Sequence, residues 1–300
     1  MAQRPPIDVL VVIVLFNSSG VLPDCLRSLA AGCEGTTWHL VAADNASTDE
    51  GPDLVRRLVP DSSVEPLGAN LGYAAAINAA VAAGPPSRSV LVLNPDTRLT
   101  PGVVRRLLGA LDGSTAGIVV PAIDDEHGGR ALSLRREPTA RRTLSDALIG
   151  GTRPRRRLGG EMVTDPAAYR RAGWVDWATG AALLVDRALH ERLGGWDERF
   201  FLYSEETDFM LRARDLGRPT LFVPDAVVIH LGGEGNTSPR LYRLMALNRV
   251  RLQRKRHGAA AAAAMTCAQL VYELPRCLRR RGAVHRAAVA GLLTGRAPMP

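Results

Sequence analysis

Seven consecutive apolar residues, Val9–Leu15, constrain the fold more than any other segment of this 300-residue chain. A run this short, with no polar alternation, suits a strand buried on both faces, and such strands belong to sheets covered by helices on each side. The pattern then repeats. Val21–Ala31 carries Leu22, Leu26 and Leu29 at helical spacing. His39–Ala43 predicts a second strand, and a helix follows over about Pro52–Val59. Ala74–Ala83 predicts a third helix and Val90–Leu93 a third strand. Thr100 is placed to cap a helix starting at Pro101, and Gly117–Pro121 predicts a further strand. Strands alternating with helices define an α/β class: a Rossmann-like, mostly parallel central sheet flanked by helices.

Composition changes over Arg130–Leu158, where Arg135, Arg136, Arg141, Arg142, Arg153, Arg155, Arg156 and Arg157 are interrupted by Gly150-Gly151 and Pro154. This reads as a basic loop with one short helix at Thr143–Ile149, either a solvated surface or a lid facing phosphates or a membrane. Regular structure resumes with a strand at Ala181–Val185, a helix capped by Asp186 and ending at Gly194-Gly195, and a helix capped by Ser204 and stopped by Gly217. Two short strands, Thr220–Val223 and Ala226–His230, are expected on either side of Pro224-Asp225. Pro239–Pro300 is helical in character. Its alanine-rich stretch Ala259–Leu274 lies between Arg249, Arg251, Arg254, Lys255 and Arg256 on one side and Arg276, Arg279, Arg280 and Arg281 on the other.

The net charge of +8 comes almost entirely from arginine, with Lys255 the one lysine among 38 basic residues. Arginine's planar fork favours phosphate and carboxylate, so nucleic acid, anionic lipid and a phosphorylated substrate are all admissible by charge. The cysteines Cys25, Cys33, Cys267 and Cys277 have neither zinc spacing nor the density of a disulfide framework, which fits thiols in a reducing compartment. No secretory signal is evident, and no run reaches the roughly 18 apolar residues of a membrane span. The basic tail is suited either to packing with a solvated face or to lying on an anionic membrane.

Chemistry concentrates at element ends. Asp96, in Asn94-Pro95-Asp96, follows the third strand, where open α/β sheets present ligand-binding groups. It reads as a ligand to Mg²⁺ or Mn²⁺ or as a turn residue. Asp44-Asn45-Ala46-Ser47-Thr48-Asp49 offers hydrogen bonds to a base or ribose, or a loop whose Thr48 or Asp49 caps a helix. Asn70-Leu71-Gly72-Tyr73 leads into an alanine-rich helix, where Gly72 permits close approach and helix amides favour phosphate. Glu205, Glu206 and Asp208 crowd one helical turn. They complement its dipole, but their repulsion also raises a pKa toward that of a general base. Trp177, Thr179, Gly180, Trp196 and Asp197 supply aromatic and glycine-lined surface of the kind that stacks on sugars or fills cores. His230 ends the last strand beside Gly232-Gly233.

Taken in order, these motifs resemble glycosyltransferase family 2, over roughly Val9–His230. They are Val14-Leu15-Phe16-Asn17, Asp44-Asn45-Ala46-Ser47-Thr48-Asp49, Asn70-Leu71-Gly72-Tyr73, Asn94-Pro95-Asp96, Thr179-Gly180-Ala181, Gly194-Gly195-Trp196-Asp197, and Phe200-Phe201-Leu202-Tyr203-Ser204-Glu205-Glu206-Thr207-Asp208. The sub-pattern is similar to bacterial rhamnosyltransferase-like members that build cell-wall or surface glycans. The resemblance implies a GT-A fold over residues 1–235, with a nucleotide-sugar half at about 1–122 and an acceptor half at about 123–235, followed by a helical basic extension over 236–300.

By the same resemblance, Asn17, Asp44 and Asn45 contact the nucleotide base, and Asn70, Gly72 and Asn78 line its pocket. Asp96 binds the divalent ion bridging the diphosphate, with His230 completing the metal or phosphate contacts. Glu206 is the catalytic base, with Glu205 the competing assignment because relatives carry a Glu-Asp pair there. Trp177, Thr179, Gly180, Trp196, Asp197 and Asp208 face the acceptor. Asn94 stands where relatives have a first aspartate. The implied reaction is inverting transfer of a sugar from a nucleoside-diphosphate donor, with dTDP-rhamnose the donor indicated. The acceptor is a hydroxyl of a glycan or lipid-linked sugar, and the setting is the cytoplasm, including the cytoplasmic face of the membrane. UDP-galactose, UDP-glucose and UDP-N-acetylglucosamine are alternative donors.

A nicotinamide-dependent dehydrogenase is disfavoured because Leu15-Phe16-Asn17-Ser18-Ser19-Gly20 lacks the GxGxxG turn. A non-catalytic nucleic-acid or membrane binder leaves the acidic clusters unexplained, so no nucleic-acid partner is expected.

Overall fold

The computed structural model describes residues 5–149, 159–232, 238–278 and 282–296. Arg153, Arg155, Arg156, Arg157, Gly233, Arg279, Arg280 and Arg281, noted above, lie outside the described residues.

In chain order the elements begin with β1 (Ile7–Leu15), α1 (Leu22–Gly32), β2 (Trp38–Asp44), α2 (Gly51–Leu58), β3 (Ser63–Pro66), α3 (Tyr73–Ala83) and β4 (Ser87–Leu93). The chain continues through β5 (Thr97–Leu99), α4 (Val103–Asp112), β6 (Ile118–Asp124), β7 (Leu134–Arg135), α5 (Ala140–Ile149), β8 (Gly173–Val175), β9 (Trp177–Ala178), β10 (Ala182–Asp186) and α6 (Arg187–Arg192). It ends with α7 (Glu205–Asp215), β11 (Thr220–His230), α8 (Pro239–Glu273) and α9 (Gly282–Thr294). The nine-stranded sheet runs β3-β2-β1-β4-β10-β6-β11-β5, with β8 also on β11. Pairs β2–β3, β1–β2, β1–β4 and β6–β11 are parallel. β10 lies antiparallel between β4 and β6, so a mostly parallel sheet carries one reversed strand at its centre.

β1 shows why an uninterrupted apolar run was needed. Val9, Val11, Ile13 and Leu15 enter the core under α1, α2 and α4, while Leu10, Val12 and Val14 enter the opposite core with α3 and α7. The alanines of α3 let that helix sit close, with Ala74, Ala76 and Ala80 fully buried.

Several expectations are corrected. Thr100 does not cap α4. Its hydroxyl donates to the Val227 carbonyl, and the helix starts instead after Gly102 in the left-handed region, at φ 66°. Ser204 is the residue before α7, but its side chain makes no capping bond. Asp186 does cap α6, accepting from Leu189 N at 3.0 Å. Asp49 accepts from Gly51 N without occupying the cap position, which belongs to Glu50. The two strands expected around Pro224-Asp225 are one strand, β11. Its register on β6 shifts between Val223 and Val227, because proline cannot donate to the ladder and the segment bulges. β3, β5, β7, β8 and β9 were not anticipated.

α8 contains a break at Gly258 (φ 85°), immediately before the alanine-rich stretch. Its first half docks on the sheet domain through ion pairs: Arg249 with Glu161, Lys255 with Asp197 and Asp208, and Arg256 with Glu137 and Asp215. Three of the five basic residues before the alanines are therefore ion-paired to the sheet domain, while Arg251 and Arg254 are exposed. No helix among the described residues is long and apolar enough to cross a membrane, and all four cysteines are free.

Candidate active site

The parallel strands bring their carboxyl ends to one edge of the sheet. The register aligns Leu15 with Asp44, and Leu93 with Ala182 at the start of the reversed β10. His230, ending β11, pairs with Thr97 on β5. Asp44, Asp96, Gly180 and His230 therefore share one rim, the position where α/β sheets bind ligands.

On one side the rim is a hydrogen-bonded scaffold. Asn17, in the left-handed region at φ 51°, accepts from Thr48 N at 2.8 Å and from Thr48 Oγ1 at 3.1 Å. Asp44 Oδ1 accepts from Ser47 N at 3.0 Å, and its second oxygen has no partner among the described residues. Asn45 is 3% exposed; it accepts from Leu71 N and donates to Gly72 O, and Asn70 Oδ1 accepts from Gly72 N. Asn17, Asn45 and Asn70 thus shape the rim with their side-chain oxygens, and Asp44 keeps one oxygen uncommitted. Gly72, at φ 91°, is irreplaceable in this geometry: a Cβ would stand 2.4 Å from the Phe201 carbonyl.

Next to it, Asp96 Oδ1 lies 3.1 Å from His230 Nε2 and is buried without a hydrogen bond. Leu231 N donates to the Asp96 carbonyl at 3.0 Å, and Gly232 presses against Oδ2, where a Cβ would come within 2.2 Å. Among the described residues no three His, Cys, Asp or Glu side chains gather to hold a metal unaided. Two ligands suffice for an ion that keeps waters and bridges substrate phosphates. Adjacent ligands of an octahedral ion at ~2.1 Å stand roughly 3 Å apart, which matches the Asp96–His230 separation. That spacing makes the pair a fit for Mg²⁺ or Mn²⁺. Asn94, in place of a first aspartate, is a framework residue: its N–H donates to Ala181 O and its Oδ1 accepts from Tyr73 Oη at 2.8 Å.

Glu205 and Glu206 open α7 after two consecutive left-handed residues, Tyr203 (φ 69°) and Ser204 (φ 70°). Non-glycine residues in that region are strained. Asn248 of α8, 1% exposed, holds the bend by donating to the carbonyls of Leu202 (2.9 Å) and Tyr203 (3.1 Å). Burial raises the pKa of Glu205 well above the usual carboxylate range, and the charge of Glu206 raises it further. Burial also raises Glu206, but hydrogen bonds from its own backbone and from Glu205, and the Arg135 charge, oppose the rise. One oxygen of each carboxyl is buried and unbonded. Gly180 lies 3.8 Å from the Glu206 side chain, measured from where its Cβ would be. Tyr73 joins the two clusters. Burial pushes its phenol upward, and the charges of Glu205, Glu206 and Asp96 push it further.

Other expected site residues serve the framework. Trp196 is 2% exposed and stacks on Phe209 at 4.5 Å, so it fills the core rather than facing an acceptor. Asp208 is fully buried and paired with Arg212 (2.8 Å) and Lys255 (2.6 Å). Asp197 pairs with Arg199 and Lys255, and these cations hold its carboxyl far below the usual range. Asn78 accepts from Trp196 N and donates to Trp196 O and Glu198, fixing the Gly195-Trp196 turn instead of lining the nucleotide pocket. Trp177 is half-buried and donates from Nε1 to Arg136 O, and Thr179 N donates to Ser133 O. Tyr73, Arg135 and Asn248 were not foreseen as site residues. Tyr73 belongs to the Asn70–Tyr73 motif, but nothing in the local sequence marks Asn248.

Residues 10–172 match the model of glycosyl transferase family 2, and the chain belongs to that family. It is 34% identical over 241 residues to the N-acetylglucosaminyl-diphospho-decaprenol L-rhamnosyltransferase of Mycobacterium tuberculosis, covering 74% of this chain and 76% of that protein. It is 25% identical over 212 residues to the low-salt glycan biosynthesis hexosyltransferase Agl10 of Haloferax volcanii, covering 69% and 62% respectively. Among solved structures, the mannosyltransferase PcManGT from Pyrobaculum calidifontis in complex with GDP-Man and Mn²⁺ aligns with a TM-score of 0.59 at 17% identity, over 98% of this chain and 77% of that one. S. aureus TarS 1-349 in complex with UDP-GlcNAc aligns at 0.58 and 14% identity, over 97% and 82%. The fold is therefore the GT-A glycosyltransferase fold, and the chain is a glycosyltransferase.

Proposed function

We propose that this enzyme transfers a rhamnosyl residue, with inversion, from dTDP-rhamnose to a hydroxyl of a lipid-linked, diphosphate-bearing sugar in cell-wall or surface-glycan synthesis. The observation carrying this reading is the convergence of the Asp96–His230 pair and the Glu205–Glu206 pair around Tyr73 at one sheet edge. The rhamnosyltransferase relative supports the donor and acceptor classes.

In this reading Glu205, the more strongly raised carboxyl, keeps its proton and donates a hydrogen bond through it to Glu206. Glu206, held closer to ionisation by that bond and by Arg135, takes the proton of the acceptor hydroxyl. The oxygen then attacks the anomeric carbon as the nucleoside diphosphate departs. Asp96 and His230 would hold a divalent ion, which would supply positive charge for the departing diphosphate. Asp44 accepts from the nucleotide, and Gly180 leaves room beside Glu206 for the acceptor.

We also propose that the protein works at the cytoplasmic face of the membrane. There Val271, Leu274, Leu278 and Leu293, 45–95% exposed, lie near Arg276 and Arg286 and would contact anionic lipid. Agl10 supports a second reading, in which the same site moves another hexose.

The test is nucleoside-diphosphate release from a panel of nucleotide sugars with Mg²⁺, Mn²⁺ or EDTA. Metal-dependent release from dTDP-rhamnose is expected. It should be lost in Asp96→Ala and reduced roughly 10²–10⁴-fold in Glu206→Gln, which keeps donor binding. Wild-type rates in either variant would refute the assignment. Turnover of a UDP-hexose in place of dTDP-rhamnose would select the second reading.

A further inference from the structure

A cavity of about 510 Å³ opens beside β7 and β8. Arg135, Arg136, Arg142 and Arg171 line it, with Asp176 the one acid among its walls. That acid shares Arg214, at 2.9 Å, with Glu137, and four guanidinium groups against one carboxylate leave the cavity a surplus of positive charge. Arg135 is buried and donates to the carbonyls of Leu132 and Leu134, but the other three keep donors to spare. Arg171 has no hydrogen bond or ion pair among the described residues. Arg142 donates from one terminal nitrogen to Glu137 O, and its Nε is buried without a partner. Arg136 uses one terminal nitrogen, toward Gly160 O at 2.9 Å and Met162 O at 3.4 Å. Trp174, 56% exposed, adds a flat apolar wall.

An excess of guanidinium donors beside an aromatic face suits a polyanion such as a diphosphate attached to an apolar group. None of Asn17, Asp44, Asp96 or His230 lines this cavity. Phe222, which also lines it, stands near the opposite end of β11 from His230. The donor rim and the cavity are therefore different places. Arg135 connects the cavity to the chemistry, because its charge acts on Glu206 and its strand β7 pairs with β9 just before Gly180.

We propose that this arginine-lined cavity holds the diphosphate of the acceptor and so orients the acceptor's sugar hydroxyl toward Glu206. The inference rests on the lipid-diphosphate acceptor proposed above, and it adds a location and a set of recognising residues.

Two measurements test it, both on the full chain. The first titrates inorganic pyrophosphate in EDTA by calorimetry. Binding is expected in the wild type and in Asp96→Ala, and at least tenfold weaker in Arg171→Glu and Arg142→Gln. Arg171 is exposed and unpaired, so its variant isolates charge from folding. Equal binding by all four proteins would overturn the proposal. The second measures transfer from dTDP-rhamnose to a short-chain prenyl-diphospho-N-acetylglucosamine. Arg171→Glu should raise the acceptor KM at least tenfold and leave the donor KM within twofold. An equal rise in donor KM would assign the cavity to the donor and overturn the proposal. If the wild type transfers no sugar, the functional reading fails by itself, and the pyrophosphate titration still decides whether the cavity takes a diphosphate.

Discussion

Glu137 joins the sheet domain to the long C-terminal helix, and replacing it should loosen both. Its carboxyl, 15% exposed, meets Arg214 at 2.6 Å, Arg256 at 3.2 Å and His257 at 3.1 Å, so α7 and α8 are clasped by one side chain. Burial by itself would raise its pKa. The hydrogen bonds from Arg214 and His257, with the charges of Arg214 and Arg256, outweigh burial and bring the value from 4.5 down to about 2. At about 1.4 kcal/mol per unit, that difference corresponds to about 3 kcal/mol of stability at pH 7. The folded pKa is depressed, so this stabilisation is complete above about pH 4.5 and disappears as pH falls toward 2. At pH 3 roughly 1 kcal/mol remains by the same linkage relation. Glu137→Gln should therefore lower the unfolding free energy by about 2–3 kcal/mol at pH 7, because glutamine keeps some hydrogen bonds but no charge, and by about 1 kcal/mol or less at pH 3. Urea unfolding of both proteins at the two pH values measures this directly. A loss at pH 7 below half a kcal/mol, or a loss that does not shrink at pH 3, would refute the electrostatic account.

The other predictions concern the active-site rim. Glu205 has a raised folded pKa, so above the ordinary carboxylate value the folded protein keeps a proton that the unfolded chain releases, and stability falls as pH rises. Glu205→Gln cannot titrate, and its melting temperature relative to wild type should climb between pH 5 and 8; a flat difference would contradict the assignment. Asn248→Ala removes two hydrogen bonds to the strained bend and should cost about 1–3 kcal/mol, with kcat falling while donor KM stays near wild type. An unchanged kcat would show that the bend holds without α8. Gly72→Ala should lower stability by at least about 1–3 kcal/mol through its left-handed backbone and the clash with Phe201, as a thermal melt would report.

The sheet and the rim were legible in the sequence because both rest on local signals. Val9–Leu15 could bury both faces only as an inner strand, and Asp44 and Asp96 stood at the ends of apolar runs, where the sheet presents its ligands. Residues whose roles depend on distant partners were read less well. Trp196, Asp197 and Asp208 have the chemistry of sugar contacts, but the partners that claim them, Phe209 for the first and Lys255 for the other two, declare themselves only in three dimensions. Asn78 likewise has a carbohydrate-binding side chain, yet its partners lie 118 residues away. The strands of two or three residues, β5 and β7–β9, are too short to show a period, and Thr100 was out-competed as a cap by a carbonyl of β11.

The reversed strand β10 has a consequence for biosynthesis. It fills the space between β4 and β6, yet it is made more than sixty residues after β6 begins. While the ribosome is still producing residues 125–181, β4 and β6 have no partner on their facing edges, and the nascent sheet carries an open seam. The Asp96 turn is unfinished during the same interval, because Asn94 N–H and Thr97 Oγ1 both bond to Ala181 O, and Leu231 N closes on Asp96 O later still. A nascent chain halted before residue 182 would therefore lack both a sealed sheet and a formed site, and it would be a substrate for chaperones.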